Sequence, residues 1–395
     1  MKKVILAVIF TGFVTSESVQ GEQWKHECVG YYQMDLPPGL EMALYAVKNV
    51  INPPKEPQSR HNVLVQLTRK AVITFGDAVY ENGDDRTQAQ FTEFEYEKYK
   101  VGISSEDKNE IKFSDYKKKI KEDYEFNATA TRLLERKNSE FSGEPIISES
   151  EFNRRYGFLI KDYNNAFVVY GFRGYEVHFN SGYRLYQFWA DRDSYLEDKS
   201  QTAQNQWHKK EPEVKSLLSR FSPRELYEVP NKQGFCIPYG FIADDSGQEP
   251  HNMAVTYRLK EHPDVTIFIQ DLGQEPSDGF IRPENESEKD FITYLWERKY
   301  QWGSVYKDLI SPKWRTIEMD GRKGLGTFAI AEFSDGRVDY GYAAYVRGNH
   351  NARNVQPDLL VYVMQYSVQA KDRPPMGKKE LEKMAERIVA SVKRR

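Results

Sequence analysis

Residues 28–36, CVGYYQMDL, and residues 235–242, FCIPYGFI, are the same kind of segment met twice. Each is a cysteine-bearing apolar run punctuated by Gly or Pro, which is how a buried strand reads, and each opens one half of the chain. The downstream segments repeat as well. In the first half Phe113, Tyr116, Ile120, Tyr124 and Ala128 recur at helical spacing behind Ser114-Asp115, whose side chains suit a cap, and predict a helix of about six turns. Residues 286–302 are the counterpart, with Ser287 as cap and Phe291, Ile292, Leu295 and Trp296 on one broad face. Both helices lead into meanders, marked by turns at Asn164-Asn165 and Ser181-Gly182 in residues 154–190, and at Ser334-Asp335-Gly336 in residues 314–367. A second helical pattern closes each half: Val214, Leu217, Leu218 and Phe221, then Leu381, Met384, Ala385, Ile388, Val389 and Val392. Strands clustered between helices predict an α+β fold of two structurally related lobes, each a mainly antiparallel sheet with helices over one face. The linker falls between Ser222-Pro223 and Lys232-Gln233, giving lobes at 22–222 and 223–395. Residues 40–51 fit a helix through Leu40, Leu44, Val47 and Ile51, or a strand through Met42, Leu44 and Ala46; residues 82–112 are equally open and read as a charged insertion loop.

Upstream of the first strand, Met1-Lys2-Lys3 is a basic start, Val4–Val14 an apolar run and Val19-Gln20-Gly21 a small-residue cleavage pattern, so residues 1–21 read as a secretory signal peptide. Eleven residues fall short of the ~20 that span a bilayer. Cys28 follows Lys25-His26-Glu27 in place of a lipobox, so no stable membrane anchor is expected. Removal of residues 1–21 leaves 395 − 21 = 374 and takes away Lys2, Lys3 and Glu17, moving the formal charge from −3 to −4. Two domains of ~150 residues each are the default at that size. A pI near 6.2 and interleaved charges give no footprint for phosphate backbones, so nucleic acid is not an expected partner. The run Lys117-Lys118-Lys119-Ile120-Lys121 meets Glu122-Asp123 at once and reads as a solvated helix face. Two cysteines, Cys28 and Cys236, leave two alternatives: a disulfide in an oxidising compartment, or two small buried apolar residues.

The chain carries no motif that demands catalysis. G-x-S-x-G, G-x-x-x-x-G-K-[ST] and G-x-G-x-x-G are absent, and no H-x-x-x-H or H-E-x-x-H pairs its seven histidines. Neither a metal nor a cofactor is expected, and His251 and His262 read as structural or surface residues. The pairs Asp84-Asp85 and Asp244-Asp245 sit beside Gly or Ser and read as turn chemistry. Two loops have the mixed character of recognition sites. Gly273–Glu288 sets Arg282 beside Phe280 and Ile281 in an otherwise polar stretch, and Gly348–Pro357 places Arg353 among asparagines. These four side chains are the partner-contact candidates, against the alternative that Phe280 and Ile281 fold back onto their own core.

The opening ECVGYYQMDLP at residues 27–37, with GFCIPYGFI at 234–242 and YRLKEHPDVTIFI at 257–269, resembles the type VI secretion lipase immunity proteins, with their N-terminal and C-terminal domains. The resemblance covers nearly the whole mature chain. It implies a periplasmic, non-enzymatic antidote that binds a cognate secreted phospholipase of α/β-hydrolase type as a heterodimer and occludes it before membrane lipid is cut. Two lobes on a short linker suit a grip from two sides. A second reading, from the wealth of Tyr and Trp, is a periplasmic binding module for glycan or envelope polymer.

Overall fold

The meanders of the two halves meet in one antiparallel sheet. The computed structural model describes residues 23–51, 73–80, 94–109, 111–171, 174–191, 203–273, 286–299 and 306–395; residues 1–21, read as a signal peptide in the sequence, lie outside them. The first half runs β1 (Lys25–Val29), β2 (Tyr32–Leu36), β3 (Leu40–Tyr45), α1 (Val47–Ile51), β4 (Ile73–Phe75), β5 (Ala78–Tyr80), β6 (Phe94–Tyr96), β7 (Tyr99–Ile103), α2 (Phe113–Ser142), α3 (Glu149–Tyr156), β8 (Leu159–Tyr163), β9 (Ala166–Gly171), β10 (Gly174–Asn180), β11 (Leu185–Asp191) and α4 (Ala203–Arg220). After β12 (Phe221–Pro223), the second half runs β13 (Gly234–Ile237), β14 (Gly240–Ala243), β15 (His251–Leu259), β16 (Val265–Leu272), α5 (Glu288–Tyr294), β17 (Tyr306–Leu309), β18 (Arg315–Met319), β19 (Arg322–Glu332), β20 (Val338–Val346), β21 (Asp358–Gln365), α6 (Lys378–Ser391) and β22 (Lys393–Arg394).

The main sheet has the order β17-β19-β20-β21-β16-β15-β6-β7-β11-β10-β9-β8, so each half contributes a contiguous block and β15 meets β6 at the seam. Within that seam His251 pairs with Tyr96 and Asn252 with Glu95, while the far end of β15 pairs Tyr257 with Met42 and Leu259 with Leu40. All nine residues of β15 are buried.

Helices cover both faces of each block, not one face as the clustering suggested. Phe167 and Val169 of β9 pack under α2 with Tyr116 and Ile120, whereas Val168 and Tyr170 face the other way, where Tyr170 meets Trp207 of α4 with ring centroids 5.8 Å apart. The second half repeats the scheme: Phe268 and Tyr362 lie under α5, and Ile267, Val361 and Val363 share the opposite core with Leu381 and Ile388 of α6. Strands buried on two faces need apolar side chains at successive positions, which is why these runs do not alternate.

Two small sheets link the halves reciprocally. The tight hairpin β1-β2 is completed by β22, the strand that follows α6, and the equivalent hairpin β13-β14 is completed by β12, the strand that follows α4. Each half therefore lends its closing strand to the other half's opening hairpin. The correspondence extends to single bonds: the Arg224 N–H donates to Tyr239 O at 3.0 Å, and the Arg395 N–H donates to Tyr31 O at 3.0 Å. At the centre Gly30 and Cys236 exchange backbone hydrogen bonds of 2.8 and 2.9 Å, and a disulfide joins Cys28 to Cys236 across 208 residues with Cα atoms 5.8 Å apart. Disulfides typically stabilise by about 2–4 kcal/mol, mainly by constraining the unfolded chain.

Several local readings change. Ser114-Asp115 does not cap α2; Lys112 occupies that position without a side-chain bond, and the helix runs on to Ser142. Phe221 leaves the helical stripe as the first residue of β12. The linker is not free chain, because β12 and Arg224 lie within it. Residues 40–51 satisfy both of their patterns in succession, strand to Tyr45 and helix from Val47, and residues 94–103, read as part of an insertion loop, form the β6-β7 hairpin. Ser287 caps α5 as expected, in a capping box with Asp290, which helps hold Phe291, Ile292, Leu295 and Trp296 against the sheet.

Candidate partner-binding surfaces

The strand exchange encloses a buried ion pair. Glu27 and Arg224 are buried and pair at 2.6 Å. The other donors of Arg224 reach Gly240 O at 3.2 Å, Cys28 O at 3.0 Å and the carbonyls of Glu225 and Glu228, so one guanidinium ties both hairpins together. Glu27 in turn accepts from the backbone N–H of Cys28 at 2.9 Å and from that of Tyr227. Arg395 takes the equivalent place, reaching Cys236 Sγ and the carbonyls of Pro230 and Lys232. Burial, then the neighbouring Arg224 charge, pulls its pKa down. Gly30 has φ +58°, and a Cβ there would stand 2.5 Å from Asp271 Oδ2, so the turn needs glycine.

Beneath that turn His251 is buried with both ring nitrogens facing acceptors: Nε2 lies 2.8 Å from Asp271 Oδ1 and Nδ1 lies 2.7 Å from Glu249 O. Burial alone lowers its pKa, but the Asp271 carboxylate and the two hydrogen bonds outweigh it, and the net shift is upward from 6.5. A raised folded-state pKa gives stability that is fully present below the unfolded value and is lost as pH rises through the folded one. The midpoint of thermal unfolding is expected to fall as pH rises from 6.5 through that interval, and His251→Asn to flatten this part of the profile. An unchanged slope in the variant would rule out His251 as its source.

Of the four contact candidates, Phe280, Ile281 and Arg282 lie outside the described residues. Arg353 is described, and it is committed internally: its guanidinium donates to buried Asp358 at 2.7 Å. Asp358 also accepts from Tyr345 Oη at 2.8 Å and Gly348 N at 2.6 Å, which closes the base of the Gly348–Pro357 loop. Arg353 thus shapes the loop, while Asn351 and Val355 are among its exposed residues. Glu286 and Ser287, which come after the Phe280–Arg282 segment, line the same small cavity as Arg353, and Arg347 donates to Glu286 O. The two loops singled out in the sequence are therefore rooted side by side.

The surface that the sequence reading missed is the outer part of α2. Of its 30 residues only Tyr116 and Ile120 are buried. The base is clamped: Tyr116 Oη lies 3.0 Å from Nδ1 of buried His178, and Tyr124 Oη donates to Glu176 at 2.9 Å. Further out, Arg132 pairs with Glu149 at 2.7 Å and packs over the Phe152 ring of α3, and Tyr156 donates to Glu135 at 2.7 Å. On the other side Phe126, Leu133, Leu134 and Phe141 are exposed, Phe141 by 97%.

The most chemically suggestive cluster is Glu213 with Tyr99, Tyr175 and Lys98. Lys98 lies 2.5 Å from the carboxylate, Tyr99 donates to it at 2.8 Å, and Tyr175 also donates to it. Burial pushes the Glu213 pKa up, but the bonds from Lys98 and the two phenols outweigh this and hold it down. A carboxylate with a lowered pKa is a weaker general base, and this one is engaged by Lys98 and the two phenols. Among the described residues no group of three or more His, Cys, Asp or Glu side chains is placed to hold a metal.

Residues 228–291, from the end of the linker through the start of α5, match the family model described as the Tle cognate immunity protein 4 C-terminal domain. No curated protein sequence matches the chain. The immunity protein TplEi of T6SS from Pseudomonas aeruginosa, solved in complex with an "L" peptide, superposes with a TM-score of 0.51 at 13% identity, covering 94% of this chain and 98% of that one. The solved Tle4–Tli4 complex supplies a chain that superposes with a TM-score of 0.51 at 14% identity, covering 94% and 97%. At these identities the likeness is one of fold, and it reaches across both halves. The chain therefore has the fold of the type VI secretion immunity proteins over nearly its whole length, with the sequence pattern of their Tle-cognate C-terminal domain at the opening of its second half.

Proposed function

We propose that this chain is an immunity protein that binds a cognate type VI secretion phospholipase and occludes it. The observation that carries the reading is the family match at residues 228–291, set in a fold that aligns with two such proteins across 94% of the chain. Residues 22–222 and 223–395 then correspond to the N-terminal and C-terminal immunity domains. Residues 1–21 direct export, so the antidote waits in the periplasm, where a phospholipase would reach the membrane. Among the described residues no helix is long and apolar enough to cross a membrane. Occlusion requires affinity and no turnover; a complex near nanomolar, about −12 kcal/mol, draws on aromatic and Arg anchors over ~1,600 Å² of buried surface. The Phe280–Arg282 segment and the loop shaped by Arg353 are proposed contributors, because their roots adjoin.

Co-expression tests this. A phospholipase encoded by the neighbouring gene, directed to the periplasm, is expected to lyse cells unless the intact chain is present, and the purified pair is expected to elute as a one-to-one complex. Lysis that continues with the antidote properly exported, or failure of the two proteins to bind, would sink the reading.

A further inference from the structure

The outer half of α2 is an unusual piece of surface. A 30-residue helix is ~45 Å long, and this one buries side chains only in its first turns. At about 100° per residue, Leu133, Leu134 and Phe141 fall within an arc of about 100°, and Ile146, just past the helix end, is exposed as well. Their exposures are 55%, 60%, 97% and 60%. The side facing the protein is held by Arg132, Glu135 and α3, so the stripe is presented outward on a supported helix.

We infer that this stripe is a docking arm that lies in an apolar groove of the phospholipase, next to the surface through which that enzyme admits acyl chains. The inference rests on the proposed function and adds to it the part of this chain that makes the contact. Three considerations select the occupant. An enzyme that draws lipid chains out of a bilayer must present an apolar mouth, and an amphipathic helix in a groove is a recurrent way of covering one. Charge argues against a membrane. Between residues 126 and 146 Arg132, Arg136 and Lys137 are balanced by Glu135, Glu140 and Glu144, 3 − 3 = 0, whereas helices that lie on lipid carry a Lys- and Arg-rich polar face. Area argues against a second copy: four such side chains offer on the order of 400 Å², about half of the ~800 Å² per partner that a stable complex buries. A larger partner that also reaches the neighbouring surface meets that requirement.

The test uses the full mature chain and the neighbouring phospholipase with its nucleophilic serine replaced by alanine. Leu133→Asp and Phe141→Asp are combined, both on exposed positions, with thermal melting to confirm an unchanged fold. Calorimetric titration is expected to give a Kd at least 100-fold weaker for the double variant, with Leu133→Met and Phe141→Leu retaining wild-type binding. Tight binding by wild type with a variant within threefold of it would overturn the docking arm and leave the immunity reading intact. Failure of wild type itself to bind would overturn both. Flotation with phosphatidylethanolamine and phosphatidylglycerol vesicles, or dimerisation in sedimentation, that is present in wild type and lost in the double variant would also overturn it, by assigning the stripe to lipid or to a second copy.

Discussion

Replacing Arg224 with alanine is expected to destabilise the protein by about 3–5 kcal/mol, the cost of stranding a buried charge. Glu27 is fully buried and has no other basic side chain at hydrogen-bond distance among its described contacts, so the truncation removes its counter-charge. It also leaves the carbonyls of Cys28 and Gly240 without their guanidinium donor. Denaturant unfolding of the single variant, beside Glu27→Gln with Arg224→Met, separates two contributions. If the penalty comes from the unpaired charge, the double variant recovers much of it, since well-packed neutral replacements of a buried pair are often tolerated. A loss below about 1 kcal/mol for Arg224→Ala would mean that water reaches Glu27 and that the junction is looser than its packing indicates.

Cutting the chain is expected to do more. Residues 22–222 and 223–395, made separately, should each lack a cooperative melt and should regain one when refolded together under oxidising conditions. Either part alone leaves β6 or β15 as an uncovered seam edge, leaves one hairpin without its third strand, and divides a continuous core that draws on both halves. A cooperative transition in either isolated part, by calorimetry and circular dichroism together, would contradict this. The expectation also alters the picture of two lobes gripping a partner. The halves are coupled through folding, so effective-concentration arguments for tethered modules do not apply to them.

Much of this architecture was legible because residue periodicity and turn chemistry are local. The Ser287 cap, the turns at Asn164-Asn165 and Ser334-Asp335-Gly336, and the closing helix from Leu381 to Val389 all arise from neighbours in sequence. The repeat itself was visible in CVGYYQMDL and FCIPYGFI. The exchange was not, because β22 and β12 are two and three residues long and take their identity from a hairpin elsewhere in the chain. The helices on both faces went unseen for a related reason: a strand buried on two sides has no period to read. Cys28 and Cys236 were visible as residues but not as a bond, since only the meeting of the two hairpins brings them together. The α2 stripe was missed because Leu133, Leu134 and Phe141 look like core residues at helical spacing, and spacing cannot say whether an apolar face is covered.

The strand exchange also bears on the order in which the molecule can be completed. The β1-β2 hairpin is synthesised early, yet in its third strand Arg394 pairs with Tyr32 from 362 residues further along the chain. No early folding step can finish it. Contacts across so large a sequence separation are slow to form, and local elements such as α2 and the β8–β11 meander can form long before them. Until Cys236 is made, Cys28 has no disulfide partner within the chain, and its hairpin stays incomplete for longer, until Lys393 and Arg394 are added. Completion of the β1-β2-β22 sheet is therefore a late event.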